Sequence, residues 1–434
     1  MQCTAGQRRV IDHGDGPARV LGGFGTGKTA ALEARADRLG EKVGAGRILT
    51  ICRSRAAAAR FGSPATTFWD LALDIVARHD RPVRLLTAIQ QQAVAASLLA
   101  KADARYLAEA TDMVCHYQAS YLGEEELRTH AAAAGEAEAW EGLTQFAAQY
   151  LHRLDLIAAV DWAGALVSAG LLLRDPQVLT AERDRFDYVL VDDFEMASFA
   201  THRLLSLLAG QGGNVVVAGN PGAAIGGRYG GTARYLERFP RSFGAADDIR
   251  LPRRLNPPAS SAVARGLNPD SEPGLVVQEL LAWANDGVRW SDMAVVICQW
   301  RRDAARIRAA MTAAGIPGLP AEGPDPWDDP PAKPADDPGF VTVASIDAAA
   351  GRHWPAVVLT GCIEGSMPAE MPSFRWLDRE LLAGPDVPSE SERLARWEAE
   401  ERRRFDVACS RATERLVLVT APPPGGQPSR FVAT

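Results

Sequence analysis

Short apolar runs alternate along the chain with longer stretches in which apolar residues recur every three or four positions. Residues 16–39 contain one apolar run, a glycine-rich turn and one periodic stretch, which predict a strand, a loop and an amphipathic helix. A strand and a helix are predicted again at RILTICRSRAAAARF, and two more strands at DYVLVDD and NVVVAGN, with the helix THRLLSLLAG between them. Strands that alternate with helices predict a parallel sheet with crossover helices.

The pattern between residues 71 and 179 differs, because it is helical throughout. Alanine- and leucine-rich stretches such as LLTAIQQQAVAASLLAKA and EGLTQFAAQYLHRLDLIAA have helical spacing. We therefore predict that residues 71–179 form a helical insertion. It interrupts a first α/β domain made of residues 1–70 and 180–245.

A second α/β set follows in the last part of the chain. Its predicted strands are DMAVVIC, GFVTVAS, PAVVLTG and RLVLVTA, and its predicted helices are RRDAARIRAAMTAAGI and SERLARWEAEERRRFDVACSRA. We assign them to a second domain made of residues 246–318 and 340–434. Residues 319–339 contain seven prolines, a composition that cannot pack a core, and are expected to form an extended linker or a surface loop.

The composition narrows the class of protein. With 434 residues, 47% of them hydrophobic and 23% charged, the chain is expected to be a soluble protein of two or three domains. No apolar run reaches the roughly 18–20 residues that span a bilayer, and the N-terminus lacks a signal-peptide core, so we expect a cytoplasmic protein without membrane contact. The six cysteines are scattered without a CxxC pair, which argues against zinc and fits a reducing compartment.

The net charge of −7 alone would argue against a nucleic-acid-binding protein, but a local basic stripe is sufficient for such binding. Arginine greatly outnumbers lysine in this chain. Because lysine is so rare, a lysine at a motif position carries extra weight.

The stretch GGFGTGKT, from Gly22 to Thr29, matches the phosphate-binding pattern G-x-x-x-x-G-K-[ST] in full. Glycines let backbone N–H groups wrap the phosphates, and the following helix adds partial positive charge. Lys28 would reach the β- and γ-phosphates, and the Thr29 hydroxyl would bind Mg²⁺. The alternative is a chance glycine-rich turn, but the flanking strand and helix favour a phosphate-binding loop.

A second element of a nucleotide site is the stretch YVLVDDFE, from Tyr188 to Glu195. An apolar strand that ends in acidic residues is typical of the strand that supplies a metal-binding aspartate. Asp192 is the candidate metal ligand, and Asp193 is the candidate for orienting the attacking water. A solvated acidic turn after a buried strand is the alternative.

The motifs and their order resemble the UvrD/Rep/PcrA branch of superfamily 1 helicases, and especially the motor halves of actinobacterial AdnA/AdnB-type proteins. TAGQ is similar to the family's Q-motif, in which Gln7 would read adenine. RILTICRSRAA and TTFW are similar to motifs Ia and Ib, which line the single-strand track in the family. The resemblance implies DNA contacts from Arg53, Arg55, Thr67 and Trp69.

Three later stretches extend the resemblance. LPRR resembles motif IV, and of its two arginines we favour Arg254 as the γ-phosphate contact. The stretch SIDAAAGRHWPAVVLTGCIEGSMP resembles motif V, and EERRRFDVACSRA resembles motif VI. There Arg411 falls on the arginine finger that stabilises charge on the transferring phosphoryl group. The alternative for the last helix is a merely solvated basic face.

The chain also departs from the family's pattern. Asp193 replaces a glutamate, and Glu195 replaces a glutamine two positions later. Motif III is changed at most of its positions, and Tyr229 is the candidate for the displaced base-stacking aromatic. In motif V the lysine is Ala350 and the ribose-contacting glutamate is His353, which we expect to be a plain surface or core histidine.

The architecture is expected to be shorter than that of the family. The stretch GIP at residues 315–317 is separated from residue 340 only by the proline-rich segment, so the helical domain called 2B is expected to be missing. The insertion before the acidic strand matches domain 1B in position. No nuclease domain is expected after motif VI.

We therefore predict an α/β fold with two RecA-like P-loop NTPase domains, parallel sheets and a helical 1B-like insertion in the first. The resemblance implies an ATP-dependent DNA helicase or translocase that uses Mg²⁺, acts on single-stranded or tailed DNA with 3′-to-5′ polarity, and serves DNA repair or recombination. One alternative is a catalytically weakened ATP- and DNA-binding scaffold that partners another helicase or nuclease subunit. A P-loop enzyme unrelated to DNA, such as a nucleotide kinase, is the other. The predicted nucleotide-binding residues are Gln7, Gly22, Gly23, Gly25, Thr26, Gly27, Lys28, Thr29, Arg254 and Arg411.

Overall fold

The computed structural model describes residues 3–99, 102–252, 260–318, 339–371, 382 and 388–432. The strands in these residues are β1 (Ala18–Leu21), β2 (Ile48–Cys52), β3 (Thr66–Thr67), β4 (Arg84–Leu85), β5 (Ala159–Val160), β6 (Tyr188–Val191), β7 (Val215–Gly219), β8 (Asp247–Arg250), β9 (Ser260–Arg265), β10 (Met293–Ile297), β11 (Thr342–Ser345), β12 (Trp354–Thr360) and β13 (Ala412–Thr420).

The helices in the same residues are α1 (Ala5–Asp12), α2 (Lys28–Val43), α3 (Arg55–Arg60), α4 (Phe68–His79), α5 (Ala88–Leu98), α6 (Ala104–Ser120), α7 (Glu124–Ala133), α8 (Ala137–Leu156), α9 (Trp162–Leu172), α10 (Pro176–Arg183), α11 (Phe199–Ala209), α12 (Arg234–Glu237), α13 (Phe239–Phe243), α14 (Glu272–Asn285), α15 (Trp300–Ala313), α16 (Ile346–Ala349) and α17 (Glu390–Cys409).

The first sheet has six strands in the order β3-β2-β6-β7-β1-β8, and every pairing between neighbours is parallel. Its central strands are apolar on both faces because helices cover both sides. Val189 and Val191 of β6 pack into a cluster with α4, α9 and α11. Tyr188 and Leu190 of the same strand pack into the opposite cluster with α2. The alternation of these side chains therefore places the sheet between two helical layers.

The second sheet has five strands in the order β11-β10-β12-β13-β9, again with parallel pairings throughout. The two parallel sheets with their covering helices confirm the predicted α/β fold with RecA-like domains. Ile225 of the first domain is fully buried in a core cluster of the second sheet. Three further residues of the first domain pack against that cluster, namely Phe24, Met196 and Ala223. An apolar contact thus joins the two domains.

The helices between β3 and β6 belong to two different cores. Helices α5 to α8 enclose their own cluster, which includes Leu127, Trp140, Leu143 and Tyr150. Helices α4 and α9 contribute instead to the cluster on the first sheet. Strands β4 and β5, which flank α5 to α8 in the sequence, pair as a two-stranded parallel ribbon. The boundaries 71 and 179 of the predicted insertion stay a proposal.

Two sequence predictions fall on residues beyond this description. Residues 319–338 of the proline-rich segment and the predicted γ-phosphate contact Arg254 both lie outside the described residues. Within the described part of the chain, no helix combines the length and the apolar composition that crossing a bilayer requires.

Candidate ATP-binding site

The predicted site residues converge at the carboxyl ends of the strands of the first sheet. The glycine loop follows β1, Arg53 follows β2, the acidic residues follow β6 and Asn220 follows β7. Because β2, β6, β7 and β1 are consecutive parallel neighbours, these segments meet at one edge of the sheet. Ligands bind at this edge in open α/β sheets.

The glycine loop has the conformation that its sequence predicts. Gly25 and Gly27 have φ angles of 67° and 78°, in the left-handed region that favours glycine. A Cβ atom at Gly27 would also lie 2.2 Å from Nε2 of Gln7. A larger residue at position 27 would therefore be excluded both by its backbone and by the space available.

Gln7 connects the first helix to this loop. Its Oε1 accepts a hydrogen bond from the Thr4 backbone N–H at 2.9 Å and completes the N-terminal cap of α1. Its Nε2 donates to the carbonyl oxygens of Thr26 and Gly27 at 3.3 and 3.4 Å. The structure thus brings the predicted adenine-reading residue into contact with the predicted phosphate loop.

Lys28 begins α2, and its ammonium group lies over the loop. Nζ donates to the carbonyl oxygens of Gly22 at 2.9 Å and Gly23 at 3.1 Å. The positive charge is thus held where the pattern places the phosphates.

Thr29 and Asp192 are in direct contact, although they are far apart in the sequence. The Thr29 hydroxyl donates to Oδ2 of Asp192 at 2.6 Å, and Oδ1 of Asp192 accepts from the backbone N–H of Asp193 at 3.0 Å. Burial, and secondly the neighbouring Asp193 carboxylate, raise the pKa of Asp192 to about 7. A hydroxyl and a carboxylate oxygen fit Mg²⁺, which takes its other ligands from water and substrate phosphates.

Asp193 and Arg53 face each other beside this pair. Asp193 has a φ of 52° and precedes a short 3₁₀ helix at Phe194–Met196. Its Oδ2 lies 3.5 Å from Nε of Arg53, whose side chain is 9% exposed. The Arg53 guanidinium also donates to the backbone carbonyl oxygens of Asp347 and Ala348 in the second domain. Arg53, which we predicted to contact DNA, lies at the domain interface next to the acids.

Glu195 is the most enclosed acid of the site. The residue is 4% exposed, and among the described residues its Oε2 has no hydrogen-bond partner. Burial, and secondly the Asp193 carboxylate, raise the pKa of Glu195 to about 8.

Arg411 enters the site from the second domain, which holds it firmly. The residue is 1% exposed and donates to the carbonyl oxygens of Val407 at 2.8 Å and Arg352 at 3.0 Å. Its guanidinium carbon lies 5.0 Å from the ring centroid of Phe24 in the glycine loop. Burial lowers the pKa of Arg411 to about 10, while Asp193 acts in the opposite direction, so the group stays cationic at neutral pH.

Most of these groups line a cavity of about 410 Å³ between the two domains. The first domain contributes the glycine loop with Gln7, Arg53, Asp193, Glu195 and Asn220, and the second contributes Ala350, Gly351, His353, Val407 and Arg411. His353, which we expected to be a plain surface or core histidine, lies on the cavity wall. Sequence reasoning missed Phe24 and the position of Arg53, since neither position follows from a local pattern.

The predicted DNA-binding residues of motifs Ia and Ib lie in tight local networks. Thr67 is fully buried, and its hydroxyl accepts the backbone N–H of Asp70 at 3.1 Å as the cap of α4. Arg55 forms an ion pair with the Asp70 carboxylate at 2.6 Å. Both side chains therefore contribute to the start of α4 in this conformation, and their contact with DNA stays a prediction.

Trp69 and Tyr229 pack against each other rather than presenting free faces. Their ring centroids are 6.1 Å apart in an edge-to-face arrangement, and Tyr229 also contacts Trp162 at 5.5 Å. Trp69 is buried. Stacking of a base on either ring would require these side chains to rearrange, and this predicted role is also untested.

The fold is that of an α/β protein with two RecA-like domains, and a glycine-rich loop with the phosphate-binding sequence pattern lies between them. Residues 66–243 match the UvrD/REP helicase N-terminal domain. DNA helicase II of Escherichia coli is 32% identical over 115 residues, which are 26% of this chain and 16% of that protein.

Two further relatives are mycobacterial. The ATP-dependent DNA helicase UvrD1 of Mycobacterium tuberculosis is 27% identical over 275 residues, 55% of this chain and 35% of that protein. The ATP-dependent DNA helicase UvrD2 of Mycobacterium bovis is 27% identical over 287 residues, 57% of this chain and 40% of that protein. These similarities support a relationship to superfamily 1A UvrD-like helicases, although the matched segments span well under two thirds of each relative. The finer likeness to AdnA/AdnB-type motors stays a prediction.

Proposed function

We propose that this chain is an ATP-dependent DNA helicase or translocase of the UvrD-like type that acts on single-stranded or tailed DNA. The observation that carries the proposal is the cavity in which the glycine loop of one domain faces Arg411 of the other. ATP bound there would contact both domains, so its hydrolysis would change their relative position. The mycobacterial relatives, which are named ATP-dependent DNA helicases, support this assignment.

The proposed reaction is the transfer of the γ-phosphoryl group to water. Lys28 and Arg411 would neutralise the charge that develops on this group, and Gln7 would contact the adenine. Thr29 and Asp192 would hold Mg²⁺, which supplies further charge neutralisation at the β- and γ-phosphates. A carboxylate, Asp193 or Glu195, would orient the water.

The attachment of Arg411 to its own domain gives a physical basis for movement. Because its hydrogen bonds go to Val407, Arg352 and Ser410, the guanidinium moves with the second domain. Opening of the cleft would withdraw this cation, and closure on ATP would return it. Repeated closure and opening would step the protein along a single strand, with 3′-to-5′ polarity if it follows the family. DNA repair or recombination in the cytoplasm is the proposed setting.

The test is the ATPase rate with and without single-stranded DNA, measured for the wild type and for Lys28→Ala. We expect DNA to stimulate hydrolysis in the wild type and the variant to lose both the basal and the stimulated rate. Hydrolysis that is indifferent to DNA, yet depends on Lys28, would indicate a P-loop enzyme unrelated to DNA.

A catalytically weakened ATP-binding scaffold that partners another motor is the second candidate. Ala223 and Ala350 line the cavity with methyl groups. In the family's pattern the corresponding positions carry a glutamine in motif III and a lysine in motif V. Loss of polar contacts to the γ-phosphate would leave binding while slowing turnover and loosening its coupling to DNA. Tight ATP binding without DNA-stimulated hydrolysis, together with poor unwinding of a 3′-tailed duplex, would support this candidate.

A further inference from the structure

The two acids that could orient the attacking water have different surroundings. The Asp193 carboxylate is directed towards the second domain, since a Cβ atom at Gly351 would lie 3.0 Å from its Oδ2. Nε of Arg53 approaches the same oxygen at 3.5 Å. Asp193 therefore already has a cationic neighbour inside the cleft.

Arg53, a residue of the first domain, is held by hydrogen bonds to the second domain. Its guanidinium donates to the carbonyl oxygens of Asp347 and Ala348, next to the loop that carries Gly351. Such a cation, largely shielded from solvent, is an electrostatic partner for the Asp193 carboxylate at 3.5 Å. Asp193 is thus placed to position Arg53 across the interface.

Glu195 is more deeply buried than Asp193. Its Oε2 is buried without a hydrogen-bond partner among the described residues, and the residue lines the ATP cavity. A Cβ atom at Gly219 would lie 2.6 Å from this oxygen, so the glycine at the end of β7 makes room for the carboxyl group. A buried acceptor without a partner is rare in proteins and is explained when a substrate or a bound water supplies the partner.

We propose that Glu195, rather than Asp193, is the catalytic base of ATP hydrolysis, and that Asp193 is a positioning residue for Arg53. This inference rests on the proposed function. As the water oxygen bonds to the γ-phosphorus, the bond from phosphorus to the ADP oxygen breaks and the water proton passes to the Glu195 carboxylate. ADP and phosphate leave, and the proton returns to solvent. The raised pKa of Glu195 is consistent with this role, because a carboxylate of higher pKa, once ionised, is a stronger proton acceptor.

Single-turnover ATP hydrolysis and binding of labelled ATP, measured on the full chain, test this assignment. Glu195→Gln is expected to lower the hydrolysis rate by about 100-fold or more, as for loss of a general base, with ATP affinity changed by less than about threefold. Asp193→Asn is expected to keep at least about a tenth of the rate. Asp193→Glu, which restores the family's acid, is expected to give no gain.

The control is Glu272→Gln, which changes a buried glutamate of the second domain outside the cavity. Its Oε1 accepts from the Thr360 hydroxyl and the Gly361 N–H, and an amide oxygen can accept both bonds. This variant is expected to hydrolyse ATP like the wild type. If Asp193 acts by positioning Arg53, the effects of Asp193→Asn and Arg53→Gln should not add. The double variant should then lose no more of the hydrolysis rate than the more damaging single variant, because both substitutions disrupt the same contact between Asp193 and Arg53.

An Asp193→Asn loss as large as that of Glu195→Gln, or a gain from Asp193→Glu, would overturn the assignment. If Glu195→Gln fails to fold, Glu195→Asp is the second variant, and its rate must fall because the carboxylate ends about 1.5 Å short. Failure of the proposed function is recognised separately, because the wild type would then either not hydrolyse ATP or hydrolyse it without stimulation by DNA.

Discussion

Replacement of Lys28 by alanine removes the charge on which phosphate binding is proposed to depend. In the structure Nζ makes two hydrogen bonds to loop carbonyl groups, at 2.9 and 3.1 Å. A charge-assisted contact to phosphate stabilises by about 1.5–3 kcal/mol. Because ATP binding must draw the ammonium group away from two existing acceptors, we expect the loss of binding free energy in Lys28→Ala to lie near the lower end of this range. A loss of about 1.5 kcal/mol corresponds to a roughly tenfold higher Kd for ATP.

Titration of labelled ATP into the wild type, Lys28→Ala and Lys42→Ala measures this difference. Lys42 lies in the last turn of the same helix, and its Nζ contacts the Tyr188 hydroxyl at 3.1 Å. Lys42→Ala therefore removes the same charge without touching the glycine loop, and its Kd should equal that of the wild type. Equal affinities of Lys28→Ala and the wild type would refute the reasoning, and so would equal losses in both lysine variants.

Three other residues have measurable roles. Gln7→Ala is expected to raise the Kd for ATP about fivefold, because it removes one neutral hydrogen bond to the nucleotide. An unchanged Kd in the same titration would contradict this prediction. Leu143→Ala creates a cavity at a fully buried position in the helical insertion. The free energy of unfolding, measured in urea, should fall by about 2–5 kcal/mol, and a decrease below about 1 kcal/mol would contradict this prediction. Burial lowers the pKa of His202 in the folded protein to about 4, whereas the pKa in the unfolded chain is about 6.5. The stability that the neutral imidazole contributes is therefore complete above about pH 6.5 and is lost as the pH falls from there towards about 4. His202→Asn should flatten the dependence of unfolding free energy on pH in that window, and an unchanged slope would show that another group titrates.

The architecture was predictable because local patterns encode it. The apolar strands β6 and β7 are buried on both faces, and a strand of that kind reads as a continuous apolar run. Glycines were needed where the loop backbone has positive φ, as at Gly27. The contact between Thr29 and Asp192 followed as well, because parallel strands end at the same edge of the sheet.

The predicted single-strand contacts show what a local pattern leaves out. Motif resemblance assigned Arg53 and Trp69 to DNA, and their residue types suit that role. Whether such a side chain faces solvent depends on elements far away in the sequence. For Trp69 the neighbour is Tyr229, and for Arg53 it is helix α16 at Asp347.

The distinction between Asp193 and Glu195 is of the same kind. Both acids follow β6 within four positions, so the sequence alone does not distinguish the two carboxylates. Their environments differ in the folded structure, because Arg53 and Gly351 approach the Asp193 carboxylate, whereas Oε2 of Glu195 is buried without a hydrogen-bond partner among the described residues. The effect of a substitution in the acidic stretch from Tyr188 to Glu195 therefore depends also on the residues of the opposite wall of the cleft. The shorter side chain of Asp193 need not weaken hydrolysis if a second acid, at a position where the family's pattern has an amide, accepts the proton.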